Sequence, residues 1–313
     1  MNPLSSIYGG VARLRNAAYD RGWRRIHRLA GPVVSVGNVS TGGSGKTPFV
    51  MTLGEALKRR DIKFDVLSRG YGRKTQGTRL VDPAGSAAEY GDEPLLIARK
   101  LQIAVIVGED RYAAGRYAEE RFGPQLHLLD DGFQHRRLAR DFDIVILSEG
   151  DIHDQLLPAG RLREPMDSLQ RADAIVLEGD MEMPRETTGK MIWRIRRGID
   201  LDCAFRRPIA FCGIARPQRF FDQLHEHGVE PAATRVFRDH HAYTTTDVQS
   251  LLAQKARCGA DGFICTEKDE TNLGAAKELL QPFAVARVTM DLSHGDDAMD
   301  ALLKAIPGRH RRS

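Results

Sequence analysis

The sequence is poor in cysteine, and the cysteines it has are scattered. Among 313 residues there are four, Cys203, Cys212, Cys258 and Cys265, and no two of them form a C-x-x-C pair. Zinc knuckles and disulfide scaffolds depend on closely spaced cysteines, so the sequence predicts neither. A reducing, cytosolic compartment fits this cysteine usage best.

Aromatic residues and long apolar runs are also scarce. Phe, Trp and Tyr make up 7% of the chain and the net charge is only +4, so the sequence lacks the dense basic and aromatic face of nucleic-acid-binding proteins. We therefore predict no nucleic-acid partner. No apolar run approaches the length of a membrane span, and the N-terminus has no compact apolar segment typical of signal peptides. The apolar content of 42% still allows a sizeable core.

A glycine-rich loop is the strongest feature that is present. Residues 37–47 read G-N-V-S-T-G-G-S-G-K-T, after an apolar run at 32–36 and before a helical apolar stripe that starts at Phe49. Such a loop turns backbone N–H groups toward an anion, and the positive end of the following helix adds to the site. We predict that seven residues bind nucleotide phosphates: Thr41, Gly42, Gly43, Ser44, Gly45, Lys46 and Thr47.

Two residues of this loop have specific expected roles. Lys46 would reach the outer phosphates, and the Thr47 hydroxyl would ligate magnesium. Ser40 stands where the G-x-x-x-x-G-K-[ST] pattern has its first glycine, so we expect a loop of slightly different path.

Acidic and basic residues follow later apolar runs. The run at 126–129 ends in Asp130 and Asp131, and a carboxylate at a strand end can hold magnesium beside the Thr47 hydroxyl. Adjacent carboxylates point in different directions from an extended chain, so we expect the two to have different tasks. In L-P-A-G-R-L-R-E-P, Arg163 is a candidate for stabilising phosphoryl charge and Glu164 for metal contact, with a surface ion pair as the alternative.

Three other polar segments each allow two interpretations. Asp92, in G-D-E-P, stands at the start of a predicted helix, where it could be a functional carboxylate or a simple N-cap. The loop S-R-G-Y-G-R-K, which contains Arg69 and Tyr71, could meet an anionic substrate or be a solvated basic loop. The adjacent His240 and His241 favour catalysis or plain hydrogen bonding over a zinc site, because neighbours on an extended backbone do not easily chelate one metal.

Strand and helix patterns alternate along the chain, which predicts the α/β class. We expect a P-loop NTPase-like domain with a mostly parallel sheet over residues 31–200. A second, smaller α/β domain over 201–313 follows, and its last helix could pack back on the first domain. The alternating segment at 190–199 is typical of an exposed edge strand or a connecting strand. A basic tail, Arg309–Arg312, would be frayed or near an anionic surface.

The first thirty residues combine an apolar stripe with six arginines between residues 13 and 28. Apolar residues recur at helical spacing, and Tyr19 and Trp23 are candidate interface anchors. We expect a basic amphipathic helix over residues 1–30 that docks on an anionic membrane surface. The alternative is an ordinary amphipathic helix whose apolar stripe packs on the protein's own core.

Together, these motifs resemble the tetraacyldisaccharide 4′-kinase family of lipid A synthesis. The resemblance runs from about Pro32 to Tyr243, with weaker similarity through Thr266–Asp269. It rests on S-V-G-N-V-S-T-G-G-S-G-K-T-P, S-R-G-Y-G-R-K, G-D-E-P, E-D-R-Y, L-D-D-G-F-Q-H, L-P-A-G-R-L-R-E-P and D-H-H-A-Y, in family order.

The resemblance implies an enzyme bound peripherally to the cytoplasmic face of the bacterial inner membrane. It would transfer the γ-phosphate of ATP, with Mg²⁺, to the 4′-hydroxyl of a lipid A disaccharide 1-phosphate and give lipid IVA. Its active site would lie in the cleft between two α/β domains, and no obligate protein partner is evident. Asp92 would be the general base, and His240 rather than His241 its orienting partner.

The same resemblance assigns the remaining site residues. The catalytic set is Asp92, His240, Lys46, Asp131 and Arg163. The magnesium set is Thr47, Asp130, Asp131 and Glu164. The substrate-binding set is Arg69, Tyr71, Arg111, Gln134 and His135.

A rival interpretation is a membrane-peripheral P-loop ATPase or GTPase switch, in which the nucleotide only controls partner binding. A guanine-specific module would carry Asn/Thr-Lys-x-Asp, whereas Thr266–Asp269 reads T-E-K-D and has its lysine one place late. The sequence therefore favours ATP.

Overall fold

The computed structural model describes residues 2–203 and 205–310. Within these residues the chain forms twelve strands and ten α-helices. The strands are β1 (Val33–Asn38), β2 (Phe64–Ser68), β3 (Arg79–Leu80), β4 (Val105–Val107), β5 (Leu126–Asp130), β6 (Phe142–Leu147), β7 (Ala174–Glu178), β8 (Met191–Asp200), β9 (Ile209–Cys212), β10 (Ala233–Val236), β11 (Phe263–Thr266) and β12 (Phe283–Leu292). The helices are α1 (Pro3–Asp20), α2 (Lys46–Lys58), α3 (Ala87–Tyr90), α4 (Asp92–Leu101), α5 (Arg111–Phe122), α6 (Glu149–Ile152), α7 (Pro217–Glu226), α8 (Thr245–Cys258), α9 (Glu267–Leu273) and α10 (Gly295–His310).

The strands join in one mixed sheet in the order β10-β9-β11-β12-β8-β7-β6-β1-β5-β2-β4-β3. Neighbouring strands are parallel except in the pairs β12–β8 and β3–β4. This confirms the predicted α/β class with a mostly parallel sheet. In the register of β1 and β5, Val36 is opposite Asp130, so the loop after β1 and the two aspartates at the end of β5 emerge at the same edge.

Two long strands connect the N-terminal and C-terminal parts of the sheet. β12 pairs through its first half with β11 and through its second half, antiparallel, with β8. Since β7 pairs with the other side of β8, the segment at 190–199 is a connecting strand and not an exposed edge. The division into two domains at residue 200 stays a prediction, because the sheet is continuous at that point.

Helices cover both faces of the sheet, which explains why β1, β2, β5 and β6 are buried at every position. On one face, Phe49 and Leu53 of α2 pack in the same cluster as Leu95 of α4 and Met299 of α10. The last helix therefore packs back on the N-terminal part of the sheet. On the other face, Ala114 and Ala118 of α5 contact the sheet.

The N-terminal helix α1 presents its apolar stripe to solvent. It ends at Asp20, well before residue 30, and buries small and polar residues such as Ser5, Gly9 and Asn16. Four large apolar side chains are 61–65% exposed: Leu4, Ile7, Val11 and Leu14. The stripe does not pack on the protein's own core, so that alternative is wrong.

The two candidate interface anchors differ. Trp23 is 67% exposed, but Tyr19 is buried under the guanidinium groups of Arg24 and Arg136, so its prediction as an anchor is wrong. In the described part of the chain, no helix is both long and apolar enough to cross a membrane. Arg311 and Arg312 of the predicted basic tail lie outside the described residues.

Candidate active site

The glycine-rich loop forms a tight turn between β1 and α2. Gly42, Gly43 and Gly45 all have positive φ angles, of 67°, 66° and 84°. Only glycine adopts such angles at little cost, which explains the spacing of glycines in this loop. Thr41 donates its backbone N–H to the carbonyl of Arg161 (2.8 Å), so the segment that contains Arg163 runs beside the phosphate loop.

Lys46 and Arg163 converge on Asp131. The Arg163 guanidinium donates two hydrogen bonds to the Asp131 carboxylate, at 3.0 and 2.8 Å, and the Lys46 Nζ lies 3.5 Å from the same group. Both cations also donate to the Asn38 side chain at the end of β1. The bidentate geometry is typical of strong arginine–carboxylate pairs. Two cations are thus held together beside the phosphate loop.

Asp130 and Asp131 are in opposite electrostatic situations. Burial raises the pKa of Asp131, but Lys46 and Arg163 outweigh it and hold that pKa well below its usual range. Burial, together with the charges of Glu93 and Asp131, raises the pKa of Asp130 to about 7. Asp130 accepts one hydrogen bond from Ser68 (3.1 Å), while its buried Oδ1 has no partner. The two carboxylates do have different surroundings, as expected.

The residues around Asp130 suit a magnesium ion bound together with nucleotide phosphates. An orphaned, buried carboxylate oxygen with a raised pKa is stabilised by a nearby cation. In the described residues, no cluster of three or more His, Cys, Asp or Glu side chains could hold a metal. A single carboxylate such as that of Asp130 is instead typical of Mg²⁺ sites, in which one or two carboxylates act together with substrate phosphates.

Asp92 does not cap its helix. Gly91 occupies the N-cap position with a φ of 88°, and Asp92 begins α4 with its side chain buried. Its carboxylate accepts from Nδ1 of His240, at 3.0 and 2.8 Å, across 148 residues of sequence. The hydrogen bond from His240 contributes to lowering the Asp92 pKa against burial, and the same bond raises the pKa of His240. The hydrogen bond thus favours the ionised form of both partners.

The adjacent His241 has a different environment. Its Nε2 lies 3.0 Å from the Asp247 carboxylate, and its ring stacks on Phe237 with a centroid distance of 4.8 Å. His240 has a positive φ of 56°, which turns the two imidazoles apart. Of the two histidines, His240 thus makes the pair with Asp92.

Two residues of α9 were missed by sequence reasoning. Lys268 forms an ion pair with Glu93 (2.5 Å), the neighbour of Asp92, and Asn272 donates to Asp92 at 3.3 Å. These contacts bring α9 against the start of α4 and add positive charge beside the Asp92 carboxylate. The T-E-K-D segment, Thr266–Asp269, was the only available signal, since α9 itself was not predicted.

Arginines from the C-terminal half also approach the phosphate loop. Arg197 on β8 donates to the Ser44 carbonyl (2.9 Å), and a Cβ on Gly45 would collide with its guanidinium. A Cβ on Gly43 would lie only 2.7 Å from Cγ of Arg216. The backbone angle requires glycine at both positions, and the two arginine side chains pack directly against them. Nothing in the local sequence distinguished these two arginines.

The predicted substrate residues lie in two places. Tyr71 is 64% exposed, packs beside His240 and lines a cavity of about 1060 Å³. This cavity is also lined by Lys74, Asp92, Arg99, Lys100 and His240. Arg69 is exposed and is not part of that lining.

Arg111, Gln134 and His135 lie nearer the phosphate loop. Gln134 donates to the Asn38 carbonyl at 2.9 Å. Burial and the charge of Arg69 lower the pKa of Arg111 to about 10. Burial and the charge of Arg111 lower the pKa of His135 to about 4, so its imidazole is neutral at pH 7.

Glu164, predicted as a magnesium contact, has another role in the structure. Its fully buried carboxylate accepts hydrogen bonds from Arg15 (2.9 Å), Asn16 (2.8 Å) and Arg171 (2.7 Å). Both oxygens are already paired with groups of the protein, which corrects the predicted metal contact. The surface ion pair considered as its alternative is also wrong, because this carboxylate is not at the surface.

The fold and site define a P-loop phosphotransferase: a phosphate loop, clustered cations, a carboxylate suited to magnesium and a buried aspartate–histidine pair. The family model of tetraacyldisaccharide-1-P 4′-kinases matches residues 1–307. The tetraacyldisaccharide 4′-kinase of Koribacter versatilis is 47% identical over 99% of both chains. That of Aquifex aeolicus is 42% identical over 77% of this chain and 82% of its own.

A solved structure agrees with these sequence relatives. The crystal structure of LpxK from Aquifex aeolicus in complex with ATP has a TM-score of 0.79 and 34% sequence identity to this chain. The match covers 97% of this chain and 98% of that one. The chain belongs to the tetraacyldisaccharide-1-P 4′-kinase family, and the predicted family is confirmed.

Because the pKa of Asp130 is raised, the stability of the wild type relative to Asp130→Asn should depend on pH. Its folded pKa of about 7 lies above the ordinary 3.8, so ionisation costs stability as pH rises between these values. We expect Asp130→Asn to be more stable than the wild type by about 1–3 kcal/mol at pH 8, and by much less at pH 4.5. Urea unfolding at both pH values, without nucleotide or magnesium, measures the difference.

Asp167→Asn is a control for this measurement, because the Asp167 side chain is 59% exposed and its replacement should change stability little at either pH value. Magnesium with ATP should then stabilise the wild type more than Asp130→Asn. If the free energies of unfolding of the wild type and Asp130→Asn differ by the same amount at both pH values, the raised pKa of Asp130 is contradicted.

Proposed function

We propose that this protein transfers the γ-phosphate of ATP to the 4′-hydroxyl of a tetraacyldisaccharide 1-phosphate, which gives lipid IVA in lipid A biosynthesis. The family supports the reaction. The observation that carries the proposal is the Asp92–His240 pair, because it places an ionised carboxylate at a cavity of about 1060 Å³. Lys74, Arg99 and Arg287 line the same cavity and suit an anionic sugar substrate.

Asp92 is the proposed general base. A sugar hydroxyl is a poor nucleophile at neutral pH, and a carboxylate within hydrogen-bond reach can take its proton as the bond to phosphorus forms. His240 orients Asp92 from the C-terminal half, and its hydrogen bond favours the ionised carboxylate that accepts the proton. Asn272 and the Lys268–Glu93 pair restrict the same carboxylate from α9.

Lys46 and Arg163 are the proposed stabilisers of charge on the transferring phosphoryl group. Phosphoryl transfer depends mainly on positioning and charge neutralisation, and both cations are preorganised on Asp131. Thr47 and Asp130 would hold Mg²⁺, which neutralises the phosphate oxygens when it is bound. Asp131 would act by holding the two cations and not as the main magnesium ligand. Arg69, Tyr71, Arg111, Gln134 and His135 remain proposed substrate contacts.

The exposed stripe of α1 is the proposed membrane contact, on the cytoplasmic face of the inner membrane. Leu4, Ile7, Val11 and Leu14 are exposed on α1, and Trp23, shortly after the helix, is also exposed. An apolar helical face flanked by arginines is typical of helices that lie in an anionic lipid interface. This surface would bring the active site to a lipid substrate that stays in the membrane.

Labelled ATP incubated with the full chain and a lipid A disaccharide monophosphate in detergent micelles tests the reaction. We expect label to enter the lipid and chelation of magnesium to stop the transfer. ATP hydrolysis with no label in the lipid would instead support the nucleotide switch.

Asp92→Asn should lower kcat by roughly two to four orders of magnitude, because the proton acceptor is lost. The Kd for ATP should stay close to that of the wild type, since Asp92 is not part of the phosphate loop. The same micelle assay measures kcat, and equilibrium titration measures ATP binding. A variant with near wild-type kcat would remove Asp92 from the role of base.

Charges placed in the α1 stripe should weaken membrane binding. Ile7→Asp together with Val11→Asp should abolish flotation with vesicles that contain anionic lipid, since each charge would have to enter the interface. Leu279→Asp is a matched control, because Leu279 is 59% exposed but lies outside α1. Flotation that is unchanged in the double variant would overturn the docking surface.

A further inference from the structure

The helix that carries the proposed membrane surface also holds the segment that contains Arg163. On its inner side, α1 contacts the segment of residues 156–164 at several points. Ser5 donates from its hydroxyl to the Leu156 carbonyl (2.8 Å), and the Tyr8 hydroxyl donates to the Arg163 carbonyl (3.2 Å). These bonds connect α1 to the backbone of Arg163, whose guanidinium donates two hydrogen bonds to Asp131.

Glu164 makes the charged part of this connection. It is fully buried, and it accepts from Arg15 and Asn16 of α1 and from Arg171. A buried carboxylate is tolerated only when cations and donors surround it, so Glu164 depends on α1 for two of its three partners. Its neighbour Arg163 is thereby held in place from the α1 side.

The segment is bound just as closely to the phosphate loop and to the aspartates. Arg163 donates its backbone N–H to the Val39 carbonyl at 2.7 Å. The Arg171 guanidinium lies 4.4 Å from the ring centre of Phe133, which follows Asp131 by two residues. A shift at Glu164 would therefore move Arg163 relative to Asp131, Asn38 and the phosphate loop.

We propose that α1 is part of the phosphoryl-transfer machinery as well as the membrane contact: Arg15 and Asn16 act through Glu164 as positioning residues for Arg163. The proposal rests on the proposed kinase function. Its physical basis is that a cation displaced by a fraction of an ångström from the transferring phosphate loses much of its effect. Helix α1 then affects kcat as well as binding to the membrane.

The test compares two arginines of α1 that differ in their contacts. Arg15 bonds to buried Glu164, whereas Arg13 lies 3.7 Å from Asp167 with both side chains about 60% exposed. Arg15→Gln and Arg13→Gln each remove one positive charge from the same helix, so any electrostatic loss at a membrane is matched. Both are assayed in micelles at saturating ATP and lipid, below their melting temperatures.

We expect kcat of Arg15→Gln to be roughly ten- to a hundredfold below that of Arg13→Gln, with similar KM values and similar vesicle flotation. Arg15→Lys should recover part of the loss, because it returns a cation to Glu164. Adding Arg15→Gln to Glu164→Gln should cost little further kcat if Arg15 acts through Glu164. Asn16→Ser is a second variant that removes a donor to Glu164 without a change of charge.

Two results would overturn the inference. One is equal kcat for Arg15→Gln and Arg13→Gln, with Asn16→Ser at the wild-type value. The other is a loss confined to the KM for lipid or to flotation, which would leave α1 a membrane contact only. Wild-type protein that puts no label into lipid would refute the proposed function itself, before any variant is compared.

Discussion

The carboxylate of Asp131 accepts two hydrogen bonds from Arg163 and lies 3.5 Å from the Lys46 ammonium, so cations from two separate segments meet on one anion. The other parts of the nucleotide site depend on this contact. It holds the start of α2 against the end of β5 and fixes the segment of Arg163 beside the phosphate loop. Asp130 makes no such contact, and its burial beside the charges of Glu93 and Asp131 raises its pKa.

The buried carboxylate of Asp92 joins the two halves of the chain. Asp92 on α4 takes its partners from the C-terminal half, His240 from a loop and Asn272 from α9. Within the described residues the halves meet in the sheet at β8 and β12, and these polar contacts hold the base toward the cavity. The nucleotide site and the base thus depend on different long-range contacts, and a substrate must satisfy both.

Much of the fold followed from local patterns. The β1–loop–α2 order was readable because apolar periodicity and glycine positions act over a few residues, and the structure has the strand at Val33–Asn38 and the helix at Lys46–Lys58. The residues of the site could be identified together only from the ordered set of motifs that resemble the kinase family. Glu164 shows the limit of this reasoning: charge and position suggested a metal contact, but its partner Arg15 lies 149 residues away in sequence.

The sequence by itself determined the α/β class, the phosphate loop and the apolar stripe of α1, because each is encoded in residues that are neighbours along the chain. Only the tertiary structure decided which charges meet. In the structure, His240 rather than His241 bonds to Asp92, and Lys46 and Arg163 both contact Asp131. The apolar stripe of α1 faces solvent. Hydrogen bonds and burial depend on distance in space, and distant segments become neighbours only when the sheet is assembled.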